Sequence, residues 1–136
     1  MAELTIQASL EHLEQVIAFV DAQLEQLDCP MKTQMQIDVA VEEIFVNISH
    51  YAYAPGTGEA VIRLDFDPDT RTCVIVFQDS GVPFDPTAKE DPDVTLSAEQ
   101  RKVGGLGIFM VKKSMDEMHY RREDGKNVLT LKKRLA

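Results

Sequence analysis

Tryptophan is absent from these 136 residues, and cysteine occurs only at Cys29 and Cys73. Two isolated thiols with no CxxC or Cys/His cluster argue against a structural zinc site and a disulfide framework. Cys73 lies in an apolar run and reads as a core residue. No apolar run approaches the ~20 residues that span a bilayer, and the opening MAELTIQ lacks the basic-then-apolar order of a signal peptide. A cytoplasmic protein with no membrane contact is the expectation. Basic residues are scarce over most of the chain. Residues 1–100 hold four Lys/Arg against nineteen Asp/Glu, while residues 101–136 hold ten against four. The formal net charge of −9 argues against nonspecific nucleic-acid binding. The basic C-terminal segment is either a solvated face or an aid in holding a polyanion. There is no internal repeat and no low-complexity segment.

What is present fits one domain, residues 1–136, with 44% hydrophobic and 27% charged residues. Alternation over Leu4–Ala8 predicts a first strand. Ser9 is a candidate N-cap for an amphipathic helix with Leu10, Leu13, Val16, Ile17, Val20, Leu24 and Leu27 on its apolar stripe. Asp28-Cys29-Pro30 breaks it, and Pro30 suits the first turn of a second helix running to about Tyr53. Tyr51 and Tyr53 would close the C-terminal end of that helix, and Pro55–Gly58 is a turn. Residues 60–67 and 72–79 predict two strands, the second nearly all apolar and therefore central. Its period places Cys73, Ile75, Phe77 and Asp79 on one face. Residues 80–103 form a long acidic, proline-containing loop, the length of a lid or an insert, with a candidate short helix at 97–102. Gly104–Gly107 opens a third helix striped by Ile108, Val111, Met115 and Met118. Residues 118–122 and 128–135 predict a closing hairpin. Lys132, Lys133 and Arg134 would guard its outer strand against edge pairing. The fold class is α+β, a mostly antiparallel sheet with helices on one face.

Three segments carry candidate chemistry. Glu43 and Asn47 are four apart, one above the other at the rim of the second helix's apolar stripe (Ile37, Val41, Ile44, Ile48). Glu43 could take a proton from an attacking hydroxyl, and Asn47 could offer Mg²⁺ a neutral oxygen. Asp79, at a strand end before Ser80-Gly81, could accept from the exocyclic amine of a base. Gly104-Gly105-Leu106-Gly107 opens a helix, where free N–H groups and missing side chains suit phosphate oxygens. It lacks the GK[ST] of a P-loop, and no strand immediately precedes it. Taken singly, a solvated helix flank, a strand-ending turn and a tight glycine loop explain the same residues. His12, His50 and His119 have no sequence partners for a triad or a metal cluster.

Taken together and in order, the segments resemble the GHKL ATPase superfamily of gyrase, the histidine kinases and the mismatch-repair ATPases. Glu43-x-x-x-Asn47 with His50-x-Ala52-Tyr53 resembles the N box. Asp79-Ser80-Gly81-Val82-Pro83-Phe84-Asp85-Pro86 resembles the first glycine box, with an ending similar to that of the anti-sigma factor serine/threonine kinases. Gly104-Gly105-Leu106-Gly107-Ile108, with Asp116, Tyr120, Gly125, Asn127 and Leu129, resembles that branch's second glycine box and closing hairpin. Val103 stands where the histidine-kinase form has a further glycine. The nearest candidates for the branch's basic lid residue are Arg101 and Lys102.

The resemblance covers about residues 4–134. It implies a Bergerat-type two-layer α/β sandwich, with a mixed, mostly antiparallel sheet covered on one face by three helices and a lid at about 82–103. It implies ATP and Mg²⁺ as cofactors, Glu43 as general base and Asn47 as metal ligand. Asp79 and Gly81 would contact adenine, and Gly104, Gly105, Leu106 and Gly107 would hold the phosphates. The implied partners are an anti-sigma antagonist as substrate, a sigma factor and a second copy of the chain. The leading expectation is an ATP-dependent serine/threonine kinase in a partner-switching circuit. The alternatives are a non-catalytic, nucleotide-gated module that sequesters a regulator, and a histidine-kinase catalytic domain. The last lacks a phosphoacceptor helix pair ahead of its ATP-binding elements.

Overall fold

The computed structural model describes residues 2–88 and 105–135. Five strands form one sheet: β1 (Ala2–Gln7), β2 (Glu59–Asp67), β3 (Thr72–Asp79), β4 (Glu117–Glu123) and β5 (Lys126–Arg134). Their spatial order is β1-β2-β3-β5-β4, and every pairing is antiparallel. The expected mixed sheet is therefore purely antiparallel among the described residues. The last strand is also not an edge: β5 lies between β3 and β4. Lys132, Lys133 and Arg134 thus guard no edge. Lys133 instead donates to the Ser114 carbonyl at 2.7 Å, fastening the third helix to the sheet.

The helices are α1 (Leu13–Gln26), α2 (Met31–Asn47) and α3 (Gly105–Ser114). A short 3₁₀ turn at Leu10–His12 precedes α1, so helix proper starts later than Ser9 suggests. Pro30 is extended and caps α2 from outside, its carbonyl accepting from Gln34 N–H at 2.9 Å. Each helix buries most of the face its spacing predicts, but Leu10 is exposed in the turn before α1, and α3 ends at Ser114, so Met115 follows it and Met118 belongs to β4. Val16, Val20 and Leu24 of α1, Ile37, Val41 and Ile44 of α2, and Ile108 and Val111 of α3 share one core. That core takes its other half from alternate strand residues: Ala60, Ile62 and Leu64, then Cys73, Ile75 and Phe77, then Leu129 and Leu131. Phe45 and Phe77 are its largest fully buried side chains. Each contributes about 1.5–3 kcal/mol by leaving water. No described helix is long and apolar enough to cross a membrane.

Two local features place side chains at the helix–sheet crevice. After Asn47 the helix widens into a π-type turn at Ile48–Ala52, a form that recurs at functional sites. The β4–β5 turn has Asp124 and Gly125 at φ 51° and 75°, the left-handed pair that a two-residue hairpin loop demands. This turn fixes the β4–β5 register, with Asn127 opposite Arg122, and the pairing of β5 with β3 sets Asn127 opposite Asp79.

Candidate functional site

The end of α2 and the end of β3 meet across the sandwich. Asn47 is 8% exposed, and its Nδ2 donates to the Glu43 carbonyl one turn back at 3.1 Å. That bond orients the amide and leaves Oδ1 without a partner among the described residues. Glu43 is half-buried, and its carboxylate lies against the first turn of α3. A Cβ at Gly107 would overlap Glu43 Oε2. Glycine is therefore required for the approach. A carboxylate at a helix N-terminus gains about 0.3–1 kcal/mol from the unpaired N–H groups.

Asp79 closes β3 and is 6% exposed. Its Oδ1 accepts from Gly81 N–H and from Asn127 Nδ2, both at 2.9 Å. Gly81 rides on the backbone of Ala52, whose carbonyl a Cβ at position 81 would overlap. The same carbonyl accepts from Val82 N–H at 2.8 Å, so the π-type turn of α2 is bonded directly to the segment after Asp79. Tyr53 adds a second tie. Its hydroxyl donates to the Glu59 carbonyl at 2.6 Å and accepts from Ser80 N–H at 2.8 Å.

Between these walls lies a pocket. Ile44, Asn47, Ile48, Tyr51 and Ala52 line it from the helix side, and Phe77, Asp79, Leu129, Asn127 and Tyr120 from the sheet. Ile108 of α3 and Val82, Phe84 and Pro86 of the segment after β3 complete it. Such a slot suits a flat aromatic ring, with a carboxylate acceptor at one end. Asn47 Oδ1 fits a single neutral oxygen offered to Mg²⁺, which takes most of its ligands from phosphates and water. No cluster of three His, Cys, Asp or Glu able to hold a metal occurs among the described residues. A single neutral oxygen would leave the rest of such a cation's coordination to phosphate and water.

Of the residues singled out in the sequence, the structure brings Asn47 and Asp79 into one pocket. Gly81 lies just behind Asp79, and Glu43 with Gly107 sits beside the Ile108 wall. Gly105 and Leu106 open α3. Gly104, the candidate helix at 97–102, Arg101, Lys102, Val103 and most of the expected lid lie outside the described residues. Tyr51 and Tyr53 do more than close the helix end: the first lines the pocket and the second ties α2 to β2 and to Ser80. The sequence reading missed the bonding role of Asn127, and Arg122, whose Nη1 donates to the Gly81 carbonyl at 2.8 Å. No local signal marks Asn127: it stands across from Asp79 only because β5 pairs with β3, a strand separated from it in the chain by α3 and β4.

A helix layer over an antiparallel sheet, with a largely apolar pocket between them and Asp79 in its lining, is the arrangement of an ATP-binding domain of the GHKL kind. Residues 6–133 match the histidine kinase-like ATPase domain, and the chain belongs to that family. Among its relatives is the serine/threonine-protein kinase BtrW of Bordetella bronchiseptica, 29% identical over 100 residues, or 74% of this chain and 70% of BtrW. Another is the serine-protein kinase RsbW of Bacillus cereus strain G9842, 30% identical over 98 residues, or 69% of this chain and 60% of RsbW. The chain thus spans well under the full length of the relatives it matches. The RsbU and RsbW domains of Rv1364c from Mycobacterium tuberculosis share the fold, with a TM-score of 0.67 at 18% identity. That match covers 99% of this chain and 33% of the other. The SiaB–SiaC complex of Pseudomonas aeruginosa also matches, with a TM-score of 0.60 at 18% identity, over 96% and 88% of the two chains. The resemblance read from the boxes is borne out at family level, as is the two-layer α+β fold.

Proposed function

We propose that this chain is a single-domain, ATP- and Mg²⁺-dependent serine/threonine protein kinase that phosphorylates an anti-sigma antagonist in a partner-switching circuit. The observation that carries the reading is the apposition of Glu43 and Gly107 beside a pocket closed by Asp79. A base-accepting group, a helix N-terminus and a proton acceptor succeed one another along one crevice. Adenine fits the slot with its amine at Asp79 and Gly81. Its phosphates run toward Gly105, Leu106 and Gly107 at the start of α3, and Gly104 is the further phosphate contact of this reading. Asn47 holds the Mg²⁺ that the triphosphate brings, and bound Mg²⁺ offsets phosphate charge. Glu43 accepts the proton of the substrate hydroxyl as that oxygen attacks the γ-phosphorus and ADP leaves. The names of BtrW and RsbW as serine kinases support the reaction class. A sigma factor and a second copy of the chain are the further partners of this reading, in the cytoplasm.

Radiolabel transfer from ATP to a cognate antagonist tests it. Glu43→Gln keeps the side chain's size and removes its basicity, so transfer should fall by at least about a hundredfold while calorimetric ATP affinity is retained. Undiminished transfer in Glu43→Gln would sink the base assignment. ATP binding without any transfer by the unaltered chain would make it a nucleotide-gated binding module.

A further inference from the structure

The pocket contains one buried amide with no bonding capacity left for a ligand. Asn127 is 6% exposed. Its Nδ2 donates to Asp79 Oδ1 at 2.9 Å and to the Val82 carbonyl at 2.8 Å. Its Oδ1 accepts from the Tyr120 hydroxyl at 2.6 Å and from Phe84 N–H at 3.2 Å. The Phe84 N–H can only donate and the Val82 carbonyl can only accept, so the amide has one allowed orientation. Two donor hydrogens and two acceptor sites are all spent. Asp79 Oδ1 is likewise saturated, by Asn127 and by Gly81 N–H. Asp79 Oδ2 has no donor among the described residues, in a pocket whose other lining is mostly apolar.

We propose that Asn127 is the positioning residue for base selectivity: it locks the Asp79 carboxylate so that Oδ2 stands as an acceptor toward the base, selecting a 6-amino purine over a 6-oxo purine. This rests on the nucleotide reading given above. Two N–H donors converge on one carboxylate oxygen and hold the group against rotation about its last torsion. The bonds to Val82 and Phe84 tie the same amide to the segment that roofs the pocket. Base identity and the seating of that segment are thus read through one side chain. A 6-oxo base would set its own acceptor against Oδ2, leaving two acceptors facing each other with no proton between them.

The test compares equilibrium binding of ATP and ITP, which differ in the 6-substituent, to the full chain and three variants. The unaltered chain should prefer ATP by roughly tenfold or more, the scale of a hydrogen bond to a charged group. Asn127→Ala should bring the two affinities within about threefold of each other, chiefly by weakening ATP. Tyr120→Phe removes one donor to Asn127 Oδ1 and should narrow the ratio by about two- to threefold while preserving the fold. In Asp79→Asn the side-chain carbonyl should take the place of Oδ1 facing Asn127 and Gly81. Its NH₂ then faces the base, and ITP should become the preferred ligand. Equal loss of both affinities in Asn127→Ala, with the ratio unchanged, would show a purely structural residue and overturn the inference. So would an unaltered chain that binds ATP and ITP alike, with the nucleotide reading left standing. Failure of the unaltered chain to bind either nucleotide would overturn that reading and this inference together.

Discussion

Gly107 lacks a side chain where the Glu43 carboxylate fills the space one would need, and Gly81 lacks one where the Ala52 carbonyl does. The two glycines differ in what blocks them. At Gly81 the obstacle is backbone, which cannot step aside. Gly81→Ala should therefore cost about 1–3 kcal/mol, read as a lowered urea midpoint. At Gly107 the obstacle is the end of a flexible side chain. Gly107→Ala should leave the unfolding free energy from urea titration within about 0.5 kcal/mol of the parent. It should nonetheless lower phosphotransfer by at least about tenfold, because the carboxylate is pushed from its place. Equal stability losses at the two positions would contradict this contrast. Residues of this kind were partly legible in the sequence. Glu43, Asn47 and Asp79 are visible as polar groups beside apolar periodicity, and it is their order along the chain, not any one of them, that singles them out. Asn127 does not, because its role depends on which strands are neighbours. Arg122 looks like any solvated cation until the hairpin brings it to the Gly81 carbonyl.

Among the elements, α1 and α2 carry a feature the crevice does not use. Asp21 and Asp38 face each other across the helix pair, and each has a buried Oδ1 with no donor. A proton on the Asp38 carboxyl supplies the pair with a donor. Burial first, and then the hydrogen bond and charge of Asp21, push the Asp38 carboxyl from 3.8 up to about 7. The folded protein thus holds a proton that the unfolded chain releases near pH 4. Between those values the native state binds more protons, so stability falls as pH rises. Asp38→Asn, which cannot ionise, should melt higher than the parent at pH 8 and gain little at pH 5. Thermal scans at the two pH values measure this, and an equal offset at both would contradict it. Elements themselves were readable because helical and alternating periodicities are local properties. The π-type turn, the late start of α1 and the interior place of β5 were not. Each is settled by what packs alongside rather than by the segment's own pattern.

At the scale of the molecule, the crevice belongs to no single part of the chain. Its walls come from the end of α2, the end of β3, the start of α3 and the β4–β5 hairpin. Asn127 reaches back 48 positions to Asp79 and 43 to Phe84. Pairings of such separation carry a loop-closure cost and are slow to form. The sheet order compounds this, because β5 lies between β3 and β4 although α3 and β4 separate it from β3 in the chain. The expectation is that the pocket is completed after the rate-limiting barrier. A ligand that recognises only the finished pocket stabilises the native state without stabilising that barrier. Stopped-flow experiments should then find that ATP slows unfolding roughly in proportion to its occupancy, while the refolding rate in dilute denaturant stays the same. The long reach of one asparagine thus implies that bound nucleotide acts on the lifetime of the folded chain and not on how quickly it forms.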